Sequence, residues 1–166
     1  MIIVGIDPGR KGALAGLNEA GKVVRVWEMP YIARSVDVVG ICAFLDEVYY
    51  AMDEIHPKME VWIEKVHAMP GQGVTSMFSF GESFGIIEGV IQTMELPMHL
   101  VAPQTWKAEI LRDTDKTKEA AIEYIGRVHP EVDLLNGRRK PHDGIAEAIC
   151  IAEYGYRRIN GTSIRG

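Results

Sequence analysis

The chain has 166 residues, 47% of them hydrophobic and 25% charged, with a formal net charge of −5 at pH 7. This is enough chain for one domain with a real core, and the balance excludes disordered and fibrous classes. No apolar run approaches a membrane span and no basic-then-apolar leader is present, so a cytoplasmic protein without membrane contact is expected; the negative charge argues against a simple polyanion binder.

Ile2, Ile3, Val4 and Ile6 form a continuous apolar run around Gly5, the pattern of a strand buried on both faces, and it stops on Asp7 before the turn Pro8-Gly9. Residues 12–17 are small and apolar, Gly21 sits in a turn, and residues 23–27 alternate. Together they predict an antiparallel meander of three strands. Ser35 is placed to cap a helix over residues 36–55, ended by Pro57. Residues 60–64, Glu-Val-Trp-Ile-Glu, predict a fourth strand ending on Glu64, and residues 67–77 a Gly-rich loop. A helix over 79–94 carries Gly81, Gly85 and Gly89 at four-residue steps, which bares one face for close approach. Another backbone can pack on that face, that of the chain's own sheet being one reading. Residues 98–101 predict a fifth strand. Pro103 opens a short helix, residues 115–118 open another that runs to about 128, and residues 129–141 form a polar loop. The last helix starts near His142-Asp143 and runs to about 157. Cys42 and Cys150 lie in apolar surroundings away from any ligand spacing and read as buried free thiols. A meander followed by alternating helices and strands gives a mixed five-stranded α/β sheet, three strands antiparallel and two parallel, with helices on both faces of a single domain over 1–166.

Two apolar strands thus end on acids, Asp7 and Glu64. The last helix adds Asp143 and Glu147, four residues apart on one face, with Gly144 and Ala146 small enough for close docking on the strand ends. Each acid has an ordinary alternative: a turn, a helix dipole, an ion pair, a solvated surface. Brought together, four carboxylates repel unless cations neutralise them, and hard divalent ions, Mg2+ with Mn2+ as a substitute, suit oxygen donors. Two such ions can stabilise both oxygens of an in-line phosphodiester displacement.

These residues resemble the RuvC-type Holliday-junction resolvases of the ribonuclease H-like superfamily, over nearly the whole chain. Val4-Gly5-Ile6-Asp7-Pro8-Gly9 is similar to the family's first-strand motif and Trp62-Ile63-Glu64-Lys65-Val66 to its second acidic motif. Residues 80–86 resemble the Gly-containing helix, 101–107 the fifth strand with its basic extension, and 146–155 the closing helix, particularly in bacteriophage versions. The resemblance implies a ribonuclease H-like fold, a homodimer, a bound four-way DNA junction and paired nicks made with Mg2+. In many relatives two Asp residues stand three apart on the last helix. Here the spacing is four with Glu147 in the later place, and either Asp143 or His142 fills the earlier one, His142 as ligand or proton-transfer group or as a solvated helix-start residue.

Lys107, Lys116 and Lys118 sit at helix starts, where a Lys and free backbone N–H groups can hold a phosphate. The resemblance implies that Lys107 and one of Lys116 or Lys118 touch the backbone of the scissile strand. In the loop after Glu64, His67 and Met69 are candidate wedges between base pairs, whereas Met77 and Phe78 read as the first core residues of the next helix. Two other functions compete. Asp7-Pro8-Gly9 near Lys11 suits an actin-like phosphotransferase fragment, but no second Gly-rich phosphate loop accompanies it. A non-catalytic nucleic-acid binder of the same fold would have shed the acids, and all four are present.

Overall fold

The computed structural model describes residues 1–52, 57–65 and 73–161. Its main sheet runs β3(Val23–Glu28), β2(Ala13–Leu17), β1(Ile2–Asp7), β6(Met59–Glu64), β7(Met98–Val101) in spatial order. β1 pairs antiparallel with β2 and β2 with β3, while β6 lies parallel to both β1 and β7. This is the mixed sheet that the alternation of patterns predicts.

Period-two alternation sends successive side chains of β1 to opposite faces. Ile2, Val4 and Ile6 join a core with Ile41, Phe44, Leu45 and Val48 of α1(Val38–Tyr50) and Ile87, Val90 and Ile91 of α2(Val74–Thr93). Ile3, Gly5 and Asp7 face the other side, where α5(Asp143–Asn160) lies on the sheet, flanked by α3(Pro103–Ile110) and α4(Lys118–Val128). The β1–α5 contact is unusually close. A Cβ on Gly5 would stand 2.2 Å from the Ala148 carbonyl oxygen, and one on Gly144 2.2 Å from that of Lys11. The small residues at these positions therefore let the helix backbone rest on the sheet, as the sequence predicts for Gly144.

Three boundaries differ from expectation. Ser35 caps no helix. Tyr31–Ile32 (β4) and Ser35–Val36 (β5) pair as a short antiparallel hairpin turned by Ala33 at φ +57°, and the Asp37 carboxylate accepts from the Val39 amide to start α1 two residues later. α1 also stops at Tyr50, short of the predicted end. α2 begins at Val74 rather than residue 79, because its first turn closes by Met77 N–H donating to the Gly73 carbonyl at 3.0 Å. Phe78 is consequently 74% exposed and is no core residue. Cys150 is buried, Cys42 only partly, and both are free thiols. Among the described residues no helix is long and apolar enough to cross a membrane.

Candidate active site

The β1–β6 register pairs Ile6 with Ile63, so Asp7 and Glu64 end adjoining parallel strands level with one another. Both belong to the alternation that points toward α5, as does Trp62, which packs on the α5 side of the sheet. The Gly9 amide donates to Asp7 Oδ1 at 3.1 Å and fixes that carboxylate in the turn. Glu64 Oε2 accepts from the indole Nε1 of Trp106 at 2.7 Å. Trp106 is fully buried on α3, whose first turn starts with Pro103. Trp106 is a functional candidate that sequence reasoning passed over: it reads as core, and only its need for a partner for the buried N–H hints at more.

α5 contributes the other two acids. Gly144 against the β1–β2 turn sets its first turns over the strand ends. Glu147 is buried and bonds Lys107 Nζ at 2.7 Å, while Asp143 pairs with Lys118 Nζ. These pairings were not legible, since the partners stand 40 and 25 residues apart in sequence. His142 caps the helix: its Nδ1 accepts from the Ile145 amide at 3.2 Å, and the ring is only 4% exposed. That bond uses the Nδ1 lone pair, and Nε2 stands 3.5 Å from Glu28 Oε2. It is thus neither a solvated helix-start residue nor a free donor to a metal. Glu28 is itself held by Arg138 and by Asn136 at 2.9 Å. The hydrogen bond from Arg138 keeps its carboxyl below the ordinary value.

The electrostatics separate the acids. Burial lifts Asp7 to about 7, against the Gly9 hydrogen bond, and the nearby Glu147 and Glu64 charges add to the rise. For Asp143 burial also pushes upward, but the hydrogen bond and charge of Lys118 outweigh it and hold the carboxyl below its ordinary value. Lys118 is raised in turn, chiefly by its bond to Asp143. An oxygen-only donor set with one carboxyl lifted by burial and by its acidic neighbours fits a hard divalent cation in chemistry. Lysines neutralise the two helix acids, and among the described residues no three His, Cys, Asp or Glu side chains stand ready as a closed metal cage.

Of the predicted DNA-contacting residues, Lys107 and Lys118 stand at the carboxylate edge. Lys116 does not: it adopts φ +55° in the turn before α4, exposed, its amide donating to Thr114 Oγ1 at 3.2 Å. His67 and Met69 lie outside the described residues. The glycines of α2 turn away from the sheet. Nothing lies within 4 Å of a Cβ built on Gly81, Gly85 or Gly89, so that face is not the packing face against this chain's own sheet.

No protein-family model matches the chain, and no curated protein is similar to it in sequence. Solved structures are similar in three dimensions. Thermus thermophilus RuvC in complex with a Holliday junction substrate superposes with TM-score 0.63 at 16% identity, covering 98% of both chains. The structure of Thermus thermophilus RuvC determined separately gives the same figures. The yeast mitochondrial Holliday junction resolvase Ydc2 follows with TM-score 0.52 at 14% identity, covering 93% of this chain and 77% of that one. The fold is therefore ribonuclease H-like. It matches the fold of RuvC over nearly the whole chain.

Proposed function

We propose that this chain is a metal-dependent endonuclease that nicks four-way or otherwise branched DNA. The observation that carries the reading is the meeting of Asp7 and Glu64, at adjoining parallel strand ends, with Glu147 and Asp143 on the helix docked over them. The likeness to RuvC along the whole chain supports the substrate. Asp7, Glu64, Asp143 and Glu147 would hold Mg2+ or Mn2+, which supplies Lewis-acid stabilisation of the oxygens that gain charge as the phosphodiester breaks. The chain's own residues do the rest. Trp106 orients Glu64, Gly9 orients Asp7, and Lys107 and Lys118 stand at the carboxylate edge, where their long side chains would meet phosphates. Asp143 rather than His142 takes the earlier helix place in this reading, because the His142 lone pair is committed to the cap. A homodimer across the exposed glycine face of α2 would supply two sites for paired nicks.

A labelled four-way junction, incubated with excess protein in Mg2+ or Mn2+, should be nicked while unbranched duplex is spared. No cleavage of any branched DNA in either ion would sink the reading, and ATP hydrolysis in its place would favour the phosphotransferase. In metal-free titrations, Lys118→Ala should lower the log–log salt slope of junction binding by roughly 0.9, and Lys116→Ala by less. Sedimentation should return a dimer at concentrations that cut.

A further inference from the structure

Beside the carboxylate edge, on the side away from α5, a groove of about 890 Å3 opens between the β4–β5 hairpin and the first turns of α2. That size is within the ~300–1,000 Å3 of ligand clefts. Gly9 forms one lip, and the same residue gives its amide to Asp7, so the groove begins where the candidate site ends. Its floor is tied down. The Ser83 hydroxyl donates to the Ser79 carbonyl at 2.9 Å, which leaves its oxygen to accept from the Tyr31 hydroxyl at 3.1 Å.

The charge of this groove is unusual for so acidic a chain. Arg25, Arg138, Arg157 and Arg158 all pair with carboxylates. Arg10 and Arg34 both line the groove, form no ion pair among the described residues, and share it with no described acid. The Arg10 guanidinium carbon lies 5.9 Å from the centre of the Tyr31 ring, and Phe80 and Ser76 also line the groove. Duplex contacts need only cations. Cations set beside ring faces in a concave site suit a strand whose bases are no longer paired, with phosphates on the arginines and a base on the ring.

We propose that this groove receives an unstacked nucleotide of the branched strand next to the scissile phosphate, its phosphate on Arg10 and Arg34 and its base against Phe80. The proposal rests on the junction-nuclease reading and names the part of that substrate this groove takes. Because Gly9 links groove and carboxylate, a nucleotide seated there would set the position of the next phosphate over Asp7. Selection for branched DNA would follow, since intact duplex offers no such nucleotide.

The test is metal-free titration of a labelled four-way junction and of unbranched duplex, at several salt concentrations, with the full chain. Arg10→Gln and Arg34→Gln, both at exposed positions, should each weaken junction binding and lower its log–log salt slope by about 0.7. Phe80→Ala should weaken it tenfold or more, by roughly the loss of one stacked base, with the slope unchanged. Duplex binding should stay at the wild-type level in all three. Lys22→Gln, in the turn at the far end of β2, should match wild type on both DNAs. Arginine variants with unchanged junction affinity and slope would overturn the proposal, and so would an equal loss on duplex or an equal loss in Lys22→Gln. Wild type that bound no branched DNA at all would instead bring down the nuclease reading beneath it.

Discussion

α5 carries acids of two kinds. In its middle, Glu153 is buried and bonds His129 Nε2 at 2.9 Å, with the Arg157 guanidinium one turn on at 3.6 Å. Arg157 also donates to the Tyr124 hydroxyl at 2.7 Å, and His129 Nδ1 stands 3.5 Å from Glu131. Each group in this cluster is answered by a fixed side chain of α4, α5 or the turn between them. At the helix start, Glu147 and Asp143 are paired with long lysine side chains, which can swing away, and Asp7 opposite them is lifted to about 7 with a backbone amide to steady it. A buried acid with committed partners stabilises a fold. Acids left short of positive charge, or matched by displaceable charge, keep free energy in reserve for a cation. Burial is common to Glu153 and Glu147, so burial does not separate structure from function; the rigidity of the partner does.

The sharpest way to break this contrast is Asp7→Asn. Nicking should fall at least about a hundredfold, as when a group that stabilises developing charge is lost. Stability in chelator should move the other way. Between pH 4 and 7 the folded chain keeps a proton that the unfolded chain has released, so wild type loses stability as pH rises and bears the full penalty above about 7. The Asn variant escapes that loss, and its melting temperature should exceed wild type at pH 8 but not at pH 4. A variant that cut normally, or that melted lower at pH 8, would erase the distinction between the two acids.

Trp106→Phe comes next. It keeps the ring in the core and removes the donor to Glu64 Oε2, so activity or metal affinity should fall about 10–100-fold, as for other residues that orient a ligand. A pH-independent loss of kcat with normal junction affinity is the expected signature.

The smallest effect belongs to the fixed cluster. Glu153→Gln should cost about 1–3 kcal/mol of stability and leave nicking per folded molecule unchanged. The hydrogen bond that His129 donates to Glu153 raises the imidazole above its ordinary value, so that bond stabilises the fold fully below the unfolded pKa and less as pH climbs through the folded one. Melting of wild type should therefore decline above pH 6.5 by an amount that His129→Gln abolishes. Reduced nicking in Glu153→Gln at full folding would show that the two ends of the helix are not separable.

Legibility in the sequence followed the range of the interaction. The sheet was readable because Ile2 to Ile6 and Val61 to Ile63 are unbroken apolar runs, and because each run stops on an acid. The docking of α5 was readable from Gly144 and Ala146 alone. The Tyr31–Val36 hairpin was not, since two-residue strands carry no period, and a Ser followed by a helical pattern looks like a cap. The start of α2 was misplaced because Gly, Thr and Ser suggested a loop where one backbone bond to Gly73 sufficed for a turn. The position of His142 at a helix start was visible, but not its commitment to the Ile145 amide and to Glu28. The lysine–carboxylate pairs were invisible in principle, since no local pattern says which distant cation an acid will meet.

The contact between Gly5 and the backbone of α5 also has a consequence for biosynthesis. β1 is made before α5, which follows it by some 140 residues. A nascent chain that stops short of Asp143 carries Asp7 and Glu64 but neither helix acid, and the bare face of β1 has nothing to rest on it. Such a long-range contact forms late in folding. A nuclease built this way would be silent while it is being translated, and a prematurely truncated product would be unable to cut the DNA around it.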